Sequence, residues 1–122
     1  MNAQKFTQKS LETIQNAQNL AVEYQCSQIE EEHLLLALLS QKDSLIKELL
    51  KKIGISDGFE NDLRYEVENK PRMTGGARTA DSIYVAQDVD IVLTNSEKIA
   101  SKMQDEYVSV EHIMIALLAV SY

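Results

Sequence analysis

The segment Glu32-His33-Leu34-Leu35-Leu36-Ala37-Leu38-Leu39 recurs, altered, as Glu111-His112-Ile113-Met114-Ile115-Ala116-Leu117-Leu118, 79 residues further along the chain. Five of the eight positions are identical, and the other three exchange Leu for Ile or Met. The same offset relates further apolar positions ahead of each segment: Ile14 and Leu93, Leu20 and Ile99, Ala21 and Ala100, Ile29 and Val108. A similarity that spans two apolar segments predicts two copies of one helical unit.

The first unit carries boundary signals for four helices. Phe6 and the N-cap residue Thr7 open the first, and Gly54 ends the third. Pro71, the only proline, closes the fourth. We expect these helices at about residues 7–26, 30–40, 44–53 and 57–69, with the apolar second helix at the centre.

The fold class predicted is all-α, with two four-helix units related by a pseudo-twofold axis. Residues 1–69 form the first unit, 70–81 a linker without periodicity, and 82–122 the second. The second unit is expected to stop after two helices, because counterparts of residues 44–69 would fall near 123–148. We therefore expect apolar surface of residues 113–120 to be exposed or covered by a partner molecule.

Composition narrows the possible partners and the compartment. The net charge of −7 and the absence of Trp argue against nucleic acid. The apolar runs are too short to span a bilayer, and residues 1–15 are too polar for a secretory signal. Cys26 is the only cysteine, so no intramolecular disulfide can form. We expect a cytoplasmic protein that binds neither nucleic acid nor membrane.

The sequence offers little for catalysis. Both histidines follow a glutamate at the start of an apolar helix, and duplication accounts for that pairing. Gly75-Gly76 is not followed by the Gly-Lys-Ser/Thr of a phosphate-binding loop. We expect no catalytic site, metal or cofactor in this chain, and we interpret Cys26 as a small hydrophobe. An acidic helical binding module remains.

Four features together resemble the N-terminal Clp repeat domain of Clp/Hsp100 AAA+ unfoldases. They are Phe6-Thr7, the Glu-His-apolar segment, the Gly-Gly linker and residues 105–112, Asp-Glu-Tyr-Val-Ser-Val-Glu-His. The second Glu-His segment, and Tyr84 ahead of residues 90–93, look most like the ClpB disaggregase branch. The ClpC branch more often has Gly-Thr where this chain has Ser109-Val110. The resemblance covers essentially the whole chain.

The resemblance implies a role in handling unfolded protein. In that family the domain is tethered by a mobile linker to a homohexameric ATPase ring, contacts unfolded or aggregated polypeptide and delivers it to the pore. ATP and Mg would bind elsewhere in the full-length protein, and this fragment would be a monomer. The ClpB branch implies a substrate-binding role for Thr7, Asp105 and Glu111. We expect loops of the second unit to meet the first helix, so that these three residues rim one groove.

Each of these residues also has a structural interpretation, because Thr7 is an N-cap, Asp105 a loop acid and Glu111 a complement to the helix dipole. The ClpC branch implies an alternative ligand. There Glu32 and Glu111 would bind the guanidinium of phosphorylated arginine, with Arg78 or Lys70 receiving the phosphate. Docking of adaptor proteins is a further alternative.

Overall fold

The computed structural model describes residues 3–41, 45–55, 58–70 and 84–121. A 3-10 turn at Ala3–Lys5 precedes the first helix. The α-helices are α1 (Gln8–Glu23), α2 (Glu31–Ser40), α3 (Leu45–Lys52), α4 (Gly58–Glu68), α5 (Gln87–Lys102) and α6 (Val110–Ser121). Two short strands, β1 (Gln28–Ile29) and β2 (Tyr84–Val85), pair in parallel. The all-α fold class is confirmed.

The central position of α2 follows from its sequence. Leu34, Leu36, Leu38 and Leu39 are all at most 2% exposed, so α2 is apolar on nearly every side. Helices α1, α3 and α4 pack around it. The α4 residues Leu63 and Val67 are buried as well, as their spacing predicts. The first unit is therefore three helices packed around one buried helix.

Helices α5 and α6 of the second unit repeat α1 and α2, and the main-chain pairing shows the symmetry between the two units. Ile29 pairs with Val85 in the β1–β2 ladder, and Phe6 pairs with Val108 in an isolated parallel bridge. The 79-residue offset converts each pair into the other. The hydrogen bond from Ala86 N to Ile29 O (2.9 Å) has its counterpart in the bond from Thr7 N to Val108 O (3.0 Å). Exchange of the two units by a pseudo-twofold rotation explains this reciprocity.

The turn after each long helix also repeats. Gln25 and Gln104, 79 residues apart, both adopt left-handed backbone conformations, with φ of 57° and 60°. Amide groups beyond each turn bond back to the helix, from Cys26 N to Ala21 O and from Asp105 N to Ala100 O, both at 2.9 Å. Two glutamines at positive φ are uncommon, so their shared position indicates one inherited turn geometry.

Some expectations about local structure need revision. The connection between the first two helices contains strand β1, which includes Ile29 and is too short to leave an alternating pattern in the sequence. The first helix ends at Glu23 rather than near residue 26, because Gln25 turns the chain. Residues 71–83, with Pro71 and all but one residue of the expected linker, lie outside the described part of the chain. The proposed domain boundaries there stay predictions.

Candidate functional site

An apolar groove opens between the two units. Its volume is about 400 Å³, and both central helices contribute to its walls, with Leu35 from α2 and Met114, Leu117 and Leu118 from α6. The rest of the lining comes from α3, α4 and the residues after α3, namely Leu50, Ile53, Ile55, Phe59, Leu63 and Glu66, and from Glu31 and Glu32 of α2. An open groove of this size and polarity can bind apolar side chains.

The polar part of the groove lining is acidic. Glu31, Glu32 and Glu66 belong to it. Lys70 Nζ lies 3.3 Å from Glu32 Oε2 and 2.6 Å from Glu30 Oε2, so one ammonium group bridges two carboxylates. These charges favour a ligand that brings cationic groups beside its apolar ones.

The pairing of Lys70 with Glu30 shifts the pKa values of these two groups in opposite directions. Burial raises the pKa of Glu30, but the hydrogen bond and charge of Lys70 outweigh it and bring the pKa below its ordinary value. Burial likewise lowers the pKa of Lys70, and its bonds to Glu30 and Glu32 more than compensate, so its pKa is raised. Glu30 and Lys70 therefore stay ionised at neutral pH.

The apolar surface of α6 is partly exposed, as the sequence predicts. Ile115 is 44% and Leu118 60% exposed, whereas Ile113 and Ala116 are completely buried. The inner face of α6 thus packs in the core, and Ile115 and Leu118 lie on its outer face.

Thr7 connects the first helix to the second unit. Its hydroxyl caps α1 by accepting a hydrogen bond from Ser10 N (3.1 Å) and also donates to Ser10 Oγ (2.9 Å). Ser10 in turn donates to the carbonyl of Val108 at 2.9 Å inside the protein. The loop before α6 therefore does meet the start of α1, and Thr7 has the structural role of an N-cap in that contact.

Asp105 holds the loop before α6. Its Oδ2 lies 2.8 Å from Nε2 of His112. The other ring nitrogen, Nδ1, accepts a hydrogen bond from Ser109 N at 2.9 Å and lies 3.0 Å from Ser109 Oγ. Because the backbone N–H already occupies the Nδ1 lone pair, His112 cannot take a proton from the Ser109 hydroxyl there. This row of side chains fixes the loop rather than activating a nucleophile.

The first unit contains the same histidine without the acid. His33 Nδ1 accepts from Glu30 N at 2.9 Å, the counterpart of the Ser109–His112 bond. Cys26 stands where the second unit has Asp105. Among the described residues, His33 Nε2 is a buried side-chain nitrogen without a hydrogen-bond partner. The Cys26/Asp105 difference, visible in the aligned repeats, was the signal that could have predicted this asymmetry.

The remaining candidate residues lie in separate places. Glu111 is exposed in the first turn of α6 and lines a shallow depression beside Leu45 and Leu49 of α3. Glu32 lies in the apolar groove and is paired with Lys70, while Arg78 lies outside the described residues. Of the described candidates, Glu32 alone belongs to the lining of the apolar groove.

Within the described ranges, no group of three or more His, Cys, Asp or Glu side chains is arranged to hold a metal ion. In the same part of the chain, none of the helices combines the length and apolarity that crossing a bilayer requires. The described surface is suited to binding through apolar contacts and carboxylates.

Comparison with known proteins identifies the fold family. Residues 5–121 match the family model of the Clp repeat (R) N-terminal domain. The chain is 32% identical over 119 residues to the chaperone protein ClpB of Clostridium perfringens and 35% identical to that of Nitratidesulfovibrio vulgaris. Each match covers 97% of this chain and 14% of the relative, so the chain spans about one seventh of their length.

Solved structures agree. The N-terminal domain of Hsp104 from Candida albicans superposes with a TM-score of 0.84 at 29% identity, covering 94% of this chain and 74% of that one. The N-terminal domain of ClpV1 from Escherichia coli shares the fold, with a TM-score of 0.79 at 22% identity. The resemblance to Clp/Hsp100 unfoldases, and to ClpB in particular, is thereby confirmed. The chain belongs to the Clp repeat N-terminal domain family.

Proposed function

We propose that this domain binds apolar segments of unfolded or aggregated polypeptides for a ClpB-type disaggregase. The observation that carries the proposal is the groove of about 400 Å³ formed by Leu35, Met114, Leu117 and Leu118 with α3 and α4. Aliphatic and thioether side chains adapt to varied partners, so such a lining gives weak, sequence-tolerant binding. Delivery to ATP- and Mg-dependent rings of a homohexameric, cytoplasmic full-length protein belongs to the same proposal.

The groove is tested by placing a charge in it. We expect Leu118→Lys to weaken binding of a permanently unfolded, fluorescently labelled protein by about tenfold or more, since burying one large aliphatic side chain is worth roughly 1.5–3 kcal/mol. Fluorescence anisotropy at fixed ionic strength measures the affinity. Leu118 is 60% exposed, so the substitution should leave the fold intact.

Ile91→Lys provides the matched control for that experiment. Ile91 is a 43% exposed aliphatic residue on α5, and it is not part of the groove lining. The control should bind like the wild type. Equal affinities for the Leu118→Lys variant and the control would contradict the proposal that this groove binds unfolded protein.

The three residues implied by the family resemblance require their own test. Thr7→Ala removes the α1 cap and should lower the free energy of unfolding by about 0.5–2 kcal/mol. We propose that Asp105→Ala and Glu111→Ala lower the affinity for the same unfolded protein, because Asp105 fixes the loop and Glu111 is exposed beside Leu45. Affinity is compared under conditions in which every variant is fully folded. Wild-type affinity in all three variants would rule out a binding role for them.

A further inference from the structure

The pseudo-twofold axis builds the same backbone junction at two places in the domain. At the α1 junction, the loop of residues 105–109 bonds to the start of α1, where Thr7 N donates to Val108 O at 3.0 Å. At the α5 junction, the equivalent residues 26–30 bond to the start of α5, where Ala86 N donates to Ile29 O at 2.9 Å. Because this backbone bonding is the same, the side chains of the two junctions can be compared position by position.

The α1 junction is polar at positions where the α5 junction is apolar. The 79-residue offset pairs Thr7 with Ala86, Ser10 with Val89 and Asp105 with Cys26, while the histidine is kept at both junctions, as His112 and His33. Ala86 precedes α5 without a side-chain cap, and Val89 is buried in the core. The α5 junction thus reaches the same backbone geometry without the three polar side chains, so the fold alone does not account for them.

His112 joins the acid of the α1 junction to the main chain of its loop. Nδ1 of the ring accepts a hydrogen bond from Ser109 N at 2.9 Å, so in the neutral ring the proton lies on Nε2. That N–H donates to Asp105 Oδ2 at 2.8 Å. His112 is itself buried in the protein, so it anchors both ends of the loop.

The carbonyl of Val108 ties the same loop to α1. It accepts a hydrogen bond from Thr7 N at 3.0 Å and another, at 2.9 Å, from Oγ of the completely buried Ser10. The hydroxyl of Thr7 in turn donates to Ser10 Oγ at 2.9 Å. Thr7 and Asp105 are therefore linked through Ser10, Val108 and the loop that His112 anchors.

We infer that Asp105 acts on the binding of unfolded polypeptide through His112, and that His112 and Ser10 are positioning residues of the α1 junction. The inference rests on the binding role proposed above for Asp105 and names the residues through which that role is exerted. A loop that is already fixed against α1 loses little conformational freedom when a ligand binds, so it favours binding without a direct contact from the Asp105 carboxylate.

A double-mutant cycle tests whether Asp105 acts through His112. His112→Asn keeps an acceptor for Ser109 N but is too short to donate to Asp105. We expect Asp105→Ala to weaken binding of the labelled unfolded protein by about fivefold, the factor that corresponds to one hydrogen bond. In the His112→Asn background, Asp105→Ala should weaken binding no further. Ser10→Ala should cause a loss of similar size. Fluorescence anisotropy measures the affinities under conditions in which each variant is fully folded.

Asp105→Asn separates positioning from a direct charge contact. Its amide oxygen can still accept from Nε2 of His112, but it carries no charge. We expect Asp105→Asn to recover most of the affinity lost in Asp105→Ala, with the salt dependence of the wild type. Glu106→Ala is the matched control, because it removes an exposed carboxylate from the same loop, and it should bind like the wild type. These variants leave the core unchanged, so the comparison holds even if His112→Asn does not fold.

The results distinguish this inference from the proposed groove. Additive losses in the cycle, or an Asp105→Asn variant as weak as Asp105→Ala with a shallower salt dependence, would show that the carboxylate contacts the ligand itself and would overturn the inference. Wild-type affinity of Asp105→Ala would overturn it as well. In each case the groove is tested separately by Leu118→Lys, whose result does not depend on the α1 junction.

Discussion

Replacing Leu36 with alanine is expected to lower the free energy of unfolding by about 2–5 kcal/mol, because a completely buried leucine leaves a cavity. Replacing its counterpart Ile115 should cost no more than about 1 kcal/mol, because that side chain is already 44% exposed. Urea denaturation with linear extrapolation measures both. For a domain of marginal stability, Leu36→Ala removes a large share of the total free energy of unfolding.

The neighbouring equivalent pair serves as the control. Leu34 and Ile113 are 1% and 0% exposed, so alanine at either position should cost a similar amount, about 2–5 kcal/mol. If Ile115→Ala proved as costly as Leu36→Ala, α6 would be covered in solution, and the exposed face described above would not exist in the monomer.

The duplication could be predicted from the sequence because core packing constrains which residues each copy can carry. Two helices that fill equivalent places in one core need similar apolar patterns, and the Leu34–Leu39 and Ile113–Leu118 segments keep that pattern. The burial of Val67 and Leu63 follows from helical spacing in the same way. The pseudo-twofold prediction is confirmed by the reciprocal pairs Ile29–Val85 and Phe6–Val108.

Other features depend on tertiary contacts, which the spacing of apolar residues along the sequence does not reveal. Met103 continues the apolar stripe of α5 in sequence, yet it is 55% exposed, because α5 ends at Lys102 and Gln104 turns the chain. The acids of the groove come from α2 and α4, whose approach is set by packing. The proposed roles of Thr7, Asp105 and Glu111 came from family resemblance. In the structure, Thr7 and Asp105 also make structural contacts, Thr7 as the N-cap of α1 and Asp105 with His112.

The second large effect that we expect is a loss of stability at acidic pH, which His33 causes. Burial is the main cause that lowers the pKa of His33 below its ordinary 6.5, and the positive charge of Lys70 adds to it, while Glu30 and Glu32 oppose it. The unfolded chain then binds more protons than the folded one between the folded pKa and 6.5. The stability contributed by neutral His33 is therefore complete above 6.5 and is lost as the pH falls through the folded pKa.

His33→Asn tests this contribution, because the asparagine Oδ1 can accept from Glu30 N as Nδ1 does but cannot titrate. We expect the free energy of unfolding of the wild type to fall below pH 6.5 with an added slope of up to about 1.4 kcal/mol per pH unit. The variant should be less stable than the wild type at pH 7 and approach it as the pH falls. Parallel pH profiles for the two proteins would contradict the assignment.

The neighbouring ion pairs require a second comparison, because acid also protonates Glu30. Its lowered pKa makes its contribution disappear only as the pH falls below the ordinary value of 4.5, further into acid than the start of the His33 effect. Lys70→Met removes the ammonium group from Glu30 and Glu32 and one cause of the lowered pKa of His33. In that variant the free energy of unfolding should fall less below pH 6.5, because the pKa of His33 would lie closer to its value in the unfolded chain.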